Sequence, residues 1–250
     1  MNIGIIIQAR LGSTRLPKKI LKPFHKGKCI LDIILDTLHQ ASSDAKVIVA
    51  TTTDKSNDAL VEHLKQNGEL YYRGSENDVL DRFIKAAERY EVDGIVRICS
   101  DNPFLDLKGL QILIAQAEDS DADYIGFKIN GLPSIKTHFG FWGEFVRLSA
   151  LKKVAETTDD NMAHEHVTIH IYTHPEAYQC EWIACPEFLQ NRNDIRLTID
   201  TQEDFDNAKQ VYSALKKEQD AFGLDDIVTY LDQHEELRKS MKNIISQNTK

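Results

Sequence analysis

Two hydrophobic periods alternate along the first half of this chain. Residues 3–8 form a short, nearly unbroken apolar run, the pattern of a strand buried on both faces of a parallel sheet. Ile30, Ile33, Ile34 and Leu38 then recur at helical spacing, and a β-branched run follows at 46–51. Ser56 is placed to cap a helix through Ala59, Leu60, His63 and Leu64, with Gly68 ending it. The same rhythm predicts a strand at 70–73, a helix through Val79, Leu80, Phe83, Ile84 and Ala87, and a strand at 94–99. A helix at 107–118 and a strand at 123–127 complete it. Such alternation implies βαβ units: an α/β domain with a mostly parallel sheet and helices on both faces. Ligands in such sheets bind beyond the carboxyl ends of the strands.

The rhythm breaks at about 128–190. Gly131, Pro133, Gly140 and Gly143 punctuate its front, a helical pattern runs over 149–173, and an apolar run covers 178–184. This stretch reads as an insertion within a single domain spanning 1–250. It concentrates Phe139, Phe141, Trp142, Phe145, Ile169, Ile171 and Tyr172, which predicts an exposed apolar patch and a homodimer interface. A strand is expected again at 195–199, then helices at 202–218 and 224–237, with a frayed polar tail from Ser240.

Charge changes the picture at one place. The net charge is -9, yet seven basic residues (Arg10, Arg15, Lys18, Lys19, Lys22, Lys26 and Lys28) precede the first acidic one, Asp32. The apolar run at 3–8 thus empties into a small-residue, basic loop, which suits an anion such as phosphate. The loop is neither a Walker A sequence nor a G-x-G-x-x-G fingerprint. The acidic balance elsewhere argues against nucleic-acid binding. No apolar run approaches the roughly 20 residues needed to span a bilayer. The first fifteen residues lack a signal-peptide pattern. Cys29, Cys99, Cys180 and Cys185 form no C-x-x-C pair, so reduced thiols in a cytoplasmic protein are expected.

Particular motifs go further. Gln8-Ala9-Arg10-x-Gly12-Ser13-Thr14-Arg15-Leu16-Pro17-x-Lys19 resembles the N-terminal signature of the cytidylyltransferase family. That family includes CMP-KDO and CMP-sialic acid synthetases and spore coat polysaccharide proteins of the SpsF type. Val47–Thr51, Tyr72–Arg82, Ser100-Asp101-Asn102-Pro103, Glu165–Thr168 and Arg196–Asp204 are similar to later family segments, in the same order. The resemblance implies a Rossmann-like, nucleotide-diphospho-sugar-transferase-like fold. It also implies CMP transfer from CTP to a sugar acid or related small sugar-like acceptor, with release of pyrophosphate and with Mg2+ as cofactor. It assigns Arg10, Arg15 and Lys19 to catalysis. Gln8, Ala9, Gly12, Ser13 and Ser100 join them at the nucleotide, Asp101 and Asp200 take the metal, and Arg73, Asp78, Arg82, Glu144 and His166 take the substrate. Lys18 stands where the resembling loops often carry glycine. Thr137–Glu144 departs from the SpsF-type pattern in the region expected to set acceptor specificity.

Plainer readings compete with these. Asp101 suits a turn before Asn-Pro, Asp200 an N-cap before Thr201–Glu203, Asp78 a helix cap and Arg82 a solvated helix face. His166, His170 and His174, spaced by four, suit one face of an interface helix; a zinc hydrolase is disfavoured because H-E-x-x-H is missing. A glycosyltransferase of the same fold or a noncatalytic nucleotide-sugar-binding protein stays open. Asp119, Asp121 and Asp123 have D-x-D spacing but precede a strand.

Overall fold

A computed structural model describes residues 1–42 and 45–247. Strands β1 (Ile3–Gln8), β4 (Lys46–Thr52), β5 (Leu70–Gly74) and β6 (Gly94–Cys99) run parallel in the order β6-β1-β4-β5. Between them lie the helices α1 (Ile30–Ala41), α2 (Asp58–Gln66) and α3 (Val79–Arg89). A small antiparallel hairpin, β2 (Pro23–His25) and β3 (Lys28–Cys29), leads into α1.

The reason for the apolar runs is visible in the packing. Ile5, Ile7, Val47, Val49, Val96 and Ile98 enter one core, while Ile6, Ile48, Ala50 and Ile95 enter a second on the other face. The first core lies under α1, α2, α4 (Leu107–Asp119), α8 (Gln202–Glu218), α9 (Leu224–Gln233) and α10 (Glu235–Gln247). The second lies under α3 and α5 (Leu148–Thr157). A strand with helices on both sides cannot alternate polar and apolar residues, so it reads as a continuous run.

The stretch at 128–190 joins the same sheet. β7 (Tyr124–Ile129) pairs with β10 (Cys180–Ala184) in parallel and with β8 (Leu132–Pro133) antiparallel. β9 (Glu144–Arg147) runs antiparallel between β6 and β7, setting Glu144 opposite Arg97 and Phe145 opposite Val96. Phe139, Phe141, Trp142, Phe145 and Ile171 are buried in the chain's own core, and Phe127 stacks on Trp142 with centroids 5.0 Å apart. The expected exposed aromatic patch is therefore corrected: these rings fill the space around the antiparallel strand.

Three other expectations need revision. The helical pattern at 149–173 is divided into α5, α6 (Asn161–His166) and α7 (Ile169–Thr173). The break is at Val167, with φ 56 and ψ -59, where Thr168 N–H donates to the His166 carbonyl at 2.5 Å. This is a γ-turn, a strained conformation for a β-branched residue. Residues 195–199 form no strand; Leu197 and Thr198 N–H groups donate to the His138 carbonyl, and Ile199 N–H to that of Asp101. The tail is helical to Gln247, with Ser240 bonded to Glu203 and Asn207. Among the described residues, no helix is long and apolar enough to cross a membrane.

Candidate active site

The loop after β1 is built from buried staples with charged residues between them. Leu11 and Leu16 are buried. Leu11 N–H donates to Asn57 Oδ1 at 2.8 Å, Leu16 N–H to Ser13 Oγ at 3.3 Å, and Lys18 N–H to the Leu11 carbonyl at 3.2 Å. Gln8 and Ala9 sit at the strand end: Ser100 N–H donates to the Gln8 carbonyl, and Ala9 N–H to that of Ala50. Gly12 faces open space, while Arg10 and Arg15 are about half exposed. Lys18 adopts the left-handed conformation, φ 56. That explains why glycine suits this position in the resembling loops.

Lys19 draws the two candidate metal residues together. Its Nζ is 3.0 Å from Asp101 Oδ2 and 3.6 Å from Asp200 Oδ1, and it also donates to the Ile199 carbonyl. Arg15 Nη2 is 3.1 Å from Asp200 Oδ1, and Arg196 Nη2 is 2.9 Å from Asp200 Oδ2. Asp200 is not the N-cap of α8. Thr201 caps it, with Asp204 completing the capping box, so the Asp200 carboxylate faces the loop cations. Arg196 is fully buried and bonds Asp204 and Asp200 as well as His138. Burial works against the Asp204 carboxylate, but the Arg196 guanidinium outweighs it and lowers its pKa. Two carboxylates converging on one ammonium, beside a basic loop, fit a magnesium ion that also takes phosphate oxygens.

Behind this centre lies a cavity of about 570 Å³, bordered by Arg15, Asp101, Lys136, His166, Tyr172 and Asp200. Asn102 and Thr198 lie in its wall at 4% and 7% exposure, and Asn102 Oδ1 and Thr198 Oγ1 have no hydrogen-bond partner among the described residues. Gly140, with φ 69, passes close over both; a Cβ there would come within 3.0 Å of Asn102 Oδ1 and 3.1 Å of Thr198 Cγ2. Buried polar atoms are rarely left unpaired, so this wall is suited to a polar ligand.

The remaining expected substrate residues divide. His166 lines the cavity. Glu144 does not: it is buried beneath, accepting from Arg97 Nη1 at 2.7 Å, the Tyr124 hydroxyl at 2.5 Å and Thr168 Oγ1 at 3.1 Å. Arg97 also donates to Gln8 Oε1 at 3.1 Å, tying this network to the strand end before the loop. Arg73 spends its donors on the carbonyls of Thr52, Thr53 and Asp54 and pairs with Asp58, so it braces β5 against the loop after β4. Asp78 caps α3 and accepts from His164 at 2.8 Å. Arg82 is buried rather than solvated. Burial and the neighbouring Arg10 charge both lower its pKa, and its buried Nε has no hydrogen-bond partner among the described residues. Arg82 Nη1 donates to the Ser75 carbonyl, and Arg10 Nη2 lies 3.9 Å from Glu165 Oε1.

Among the described residues, His166, His170 and His174 do not gather as metal ligands; His170 and His174 stack on each other at 4.1 Å. The Asp119–Asp123 segment lies before β7, at the amino ends of the strands, whereas Asp101 follows the carboxyl end of β6. Arg97 and Arg196 were the functional neighbours that motif reading left without roles. Their signal is a charged residue inside an otherwise apolar run, in Ile95-Val96-Arg97-Ile98 and Ile195-Arg196-Leu197.

A sheet of this topology with a basic loop facing paired carboxylates defines a nucleotidyltransferase-like site. The chain belongs to the cytidylyltransferase family, whose model matches residues 4–242. It is 35% identical over 216 residues to the spore coat polysaccharide biosynthesis protein SpsF of Bacillus subtilis, covering 84% of this chain and 86% of that one. A cytidylyltransferase structure from Leptospira borgpetersenii superposes with a TM-score of 0.84 at 29% identity, covering 95% of this chain and 96% of the other. A CMP-2-keto-3-deoxy-manno-octonic acid synthetase solved with CTP shares the fold, with a TM-score of 0.63 at 15% identity. That match covers 86% of this chain and all of the other.

Proposed function

We propose that this protein transfers CMP from CTP to an acidic, sugar-like acceptor and releases pyrophosphate, in the biosynthesis of a surface polysaccharide or related glycan. The observation that carries the reading is Lys19 shared between Asp101 and Asp200, where the basic loop meets the cavity. The loop backbone, Arg15 and Lys19 would hold the triphosphate, and Arg10 with Arg82 would supply cations on its far side. The acceptor would enter the cavity between His166, Lys136 and the Asn102–Thr198 wall, with an oxygen turned toward the α-phosphorus. Cations already placed around the phosphates stabilise the charge that develops as the pyrophosphate bond breaks. Mg2+, held by Asp101 and Asp200, would supply further neutralisation of the α-phosphate and polarise the attacking oxygen.

The test is pyrophosphate release across a panel of sugar-acid acceptors, combined with calorimetry of CTP, UTP, ATP and GTP in magnesium. The expected outcome is turnover with CTP and one acidic acceptor, abolished by chelation. Equal or tighter binding of UTP would sink the cytidylyl assignment. A homodimer belongs to the same reading and is supported by the family resemblance alone, because Phe139, Phe141, Trp142 and Phe145 are buried in the chain's own core and Tyr172 borders the cavity. Light scattering should give twice 28.5 kDa; a mass of 28.5 kDa at micromolar protein would remove it.

A further inference from the structure

Three donors of different chemistry meet away from the cavity, where β3 runs into α1 beside α2. Cys29 Sγ is 3.9 Å from His63 Nε2, and His63 Nε2 is 2.6 Å from Asp32 Oδ1. The ligand atoms of all three lie within 4.8 Å of one another. The local fold imposes this meeting. Cys29 is the N-cap of α1 and Asp32 its third residue, and Cys29 N–H donates to Asp32 Oδ2 at 2.8 Å. That bond sets the carboxylate beside the thiol and leaves Oδ1 to face His63. Asn67 Nδ2 donates to the His63 carbonyl at 2.8 Å, bracing the end of α2 that carries the imidazole.

A cysteine nucleophile with a histidine base does not fit. The same nitrogen, Nε2, faces both Asp32 and Cys29, whereas a relay needs one ring nitrogen for each partner. Burial pushes the Cys29 thiol up to about 12, so it is no free thiolate. Donors converging on a common point are instead what a cation requires. A tetrahedral ion with usual zinc bond lengths would hold sulfur and nitrogen about 3.5 Å apart, close to the distance present, and nitrogen and oxygen about 3.4 Å apart. The imidazole–carboxylate pair need only open. Cys29 is 4% exposed, but the His63 and Asp32 side chains keep 28% and 22%, which leaves an entry path.

We infer that Cys29, Asp32 and His63 form a binding site for a borderline-soft divalent ion, Zn2+ by its donor set, with water as fourth ligand. On binding, the thiol proton leaves to solvent, and thiolate and carboxylate together balance the two positive charges. The thiolate and imidazole select against Mg2+, so this site is chemically separate from the Asp101–Asp200 pair. The ion would fasten the start of α1 to α2. The residue before α2, Asn57, holds the Leu11 N–H of the basic loop, so the clamp would stiffen the base of that loop.

The test uses chelator-stripped full-length protein titrated with Co2+, then with Zn2+. The expected result is a thiolate-to-cobalt absorption band saturating at one equivalent, displaced by Zn2+ and unmoved by excess Mg2+, with a raised thermal midpoint. Cys29→Ser should abolish the band, Cys185→Ser should leave it, and His63→Ala should weaken Co2+ binding by at least about 10-fold. Circular dichroism in chelator shows whether Cys29→Ser stays folded; if it does not, the partly exposed His63→Ala decides. A missing band, a band that survives Cys29→Ser, an affinity indifferent to His63→Ala, or displacement by Mg2+ would each overturn the site.

Discussion

Two charged clusters flank the cavity and handle their charge in opposite ways. At the mouth, Lys19, Asp101 and Asp200 keep 12%, 27% and 18% of their side-chain surface, and Arg15 keeps 53%. Beneath it, Arg97 and Glu144 retain 7% and 1%, and Glu144 is saturated by an arginine, a tyrosine and a threonine. The mouth cluster keeps contact with water, which partly screens its charges, and its ammonium could yield its place to another cation. The buried cluster cannot, since an unpaired charge in the interior is costly. Nearness to a cavity therefore does not make a charged residue a ligand contact. Glu144 is close enough to matter, but it acts on Arg97, Tyr124 and Thr168 and through them on Gln8 and the γ-turn beside His166.

The contrast can be broken most directly at Glu144. Glu144→Gln should cost about 3–5 kcal/mol of stability by leaving the Arg97 charge buried and unpaired, read as a large drop in thermal midpoint. Asp101→Asn and Asp200→Asn should do the reverse, lowering turnover about 100-fold or more under saturating CTP while moving the midpoint much less. If Glu144→Gln melts like the parent, or the aspartate variants unfold, the division between the two clusters is wrong. A smaller effect tests the cavity wall. Thr198→Val removes a buried hydroxyl that has no partner among the described residues, so stability should hold or rise, while the acceptor KM rises about 10-fold and the CTP KM stays put. A rise confined to the CTP KM would move the acceptor elsewhere. The smallest effect concerns pH. Burial disfavours the His164 imidazolium, but its bonds to Asp78 and the Thr158 carbonyl outweigh this and raise its pKa above 6.5. Its contribution is thus fully present below 6.5 and is lost as pH rises through the higher folded value. Parent and His164→Gln should differ most in thermal midpoint at pH 5.5 and converge toward pH 8; a constant or growing difference would contradict the pairing.

Much of the first 130 residues was legible because there the local and global patterns agree. A run such as Ile3–Gln8, apolar on both of its faces, has one economical fate in a sheet covered by helices, and the helix end at Asp78 carries its own cap. The segment at 8–19 stood out by its own charge and small residues, whereas Asp101 and Asp200 were singled out by likeness to family segments, since on residue type alone each suited a turn or a cap. Beyond 128 the patterns conflict. Aromatic residues among glycines look the same whether they cover a partner or fill a core, and only the antiparallel insertion of β9 between β6 and β7 decided that Phe141 and Trp142 are inside. The period-four histidines promised one helix, but the γ-turn at Val167 divided it. An extended run at 195–199 looked like a strand, yet its N–H groups went to the His138 and Asp101 carbonyls.

The amino-acid sequence by itself determined the alternating α/β framework and the basic, small-residue loop after the first strand. Those depend on periodicity and residue chemistry, which are local. Tertiary structure alone decided that Lys19 lies between Asp101 and Asp200, 82 and about 180 residues away along the chain. It alone sealed Glu144 against Arg97, turned Arg73 to its structural carbonyls, and gathered Cys29, Asp32 and His63. Partners of that kind are chosen by which strand ends and helix faces come together, and no periodicity in a single segment records it.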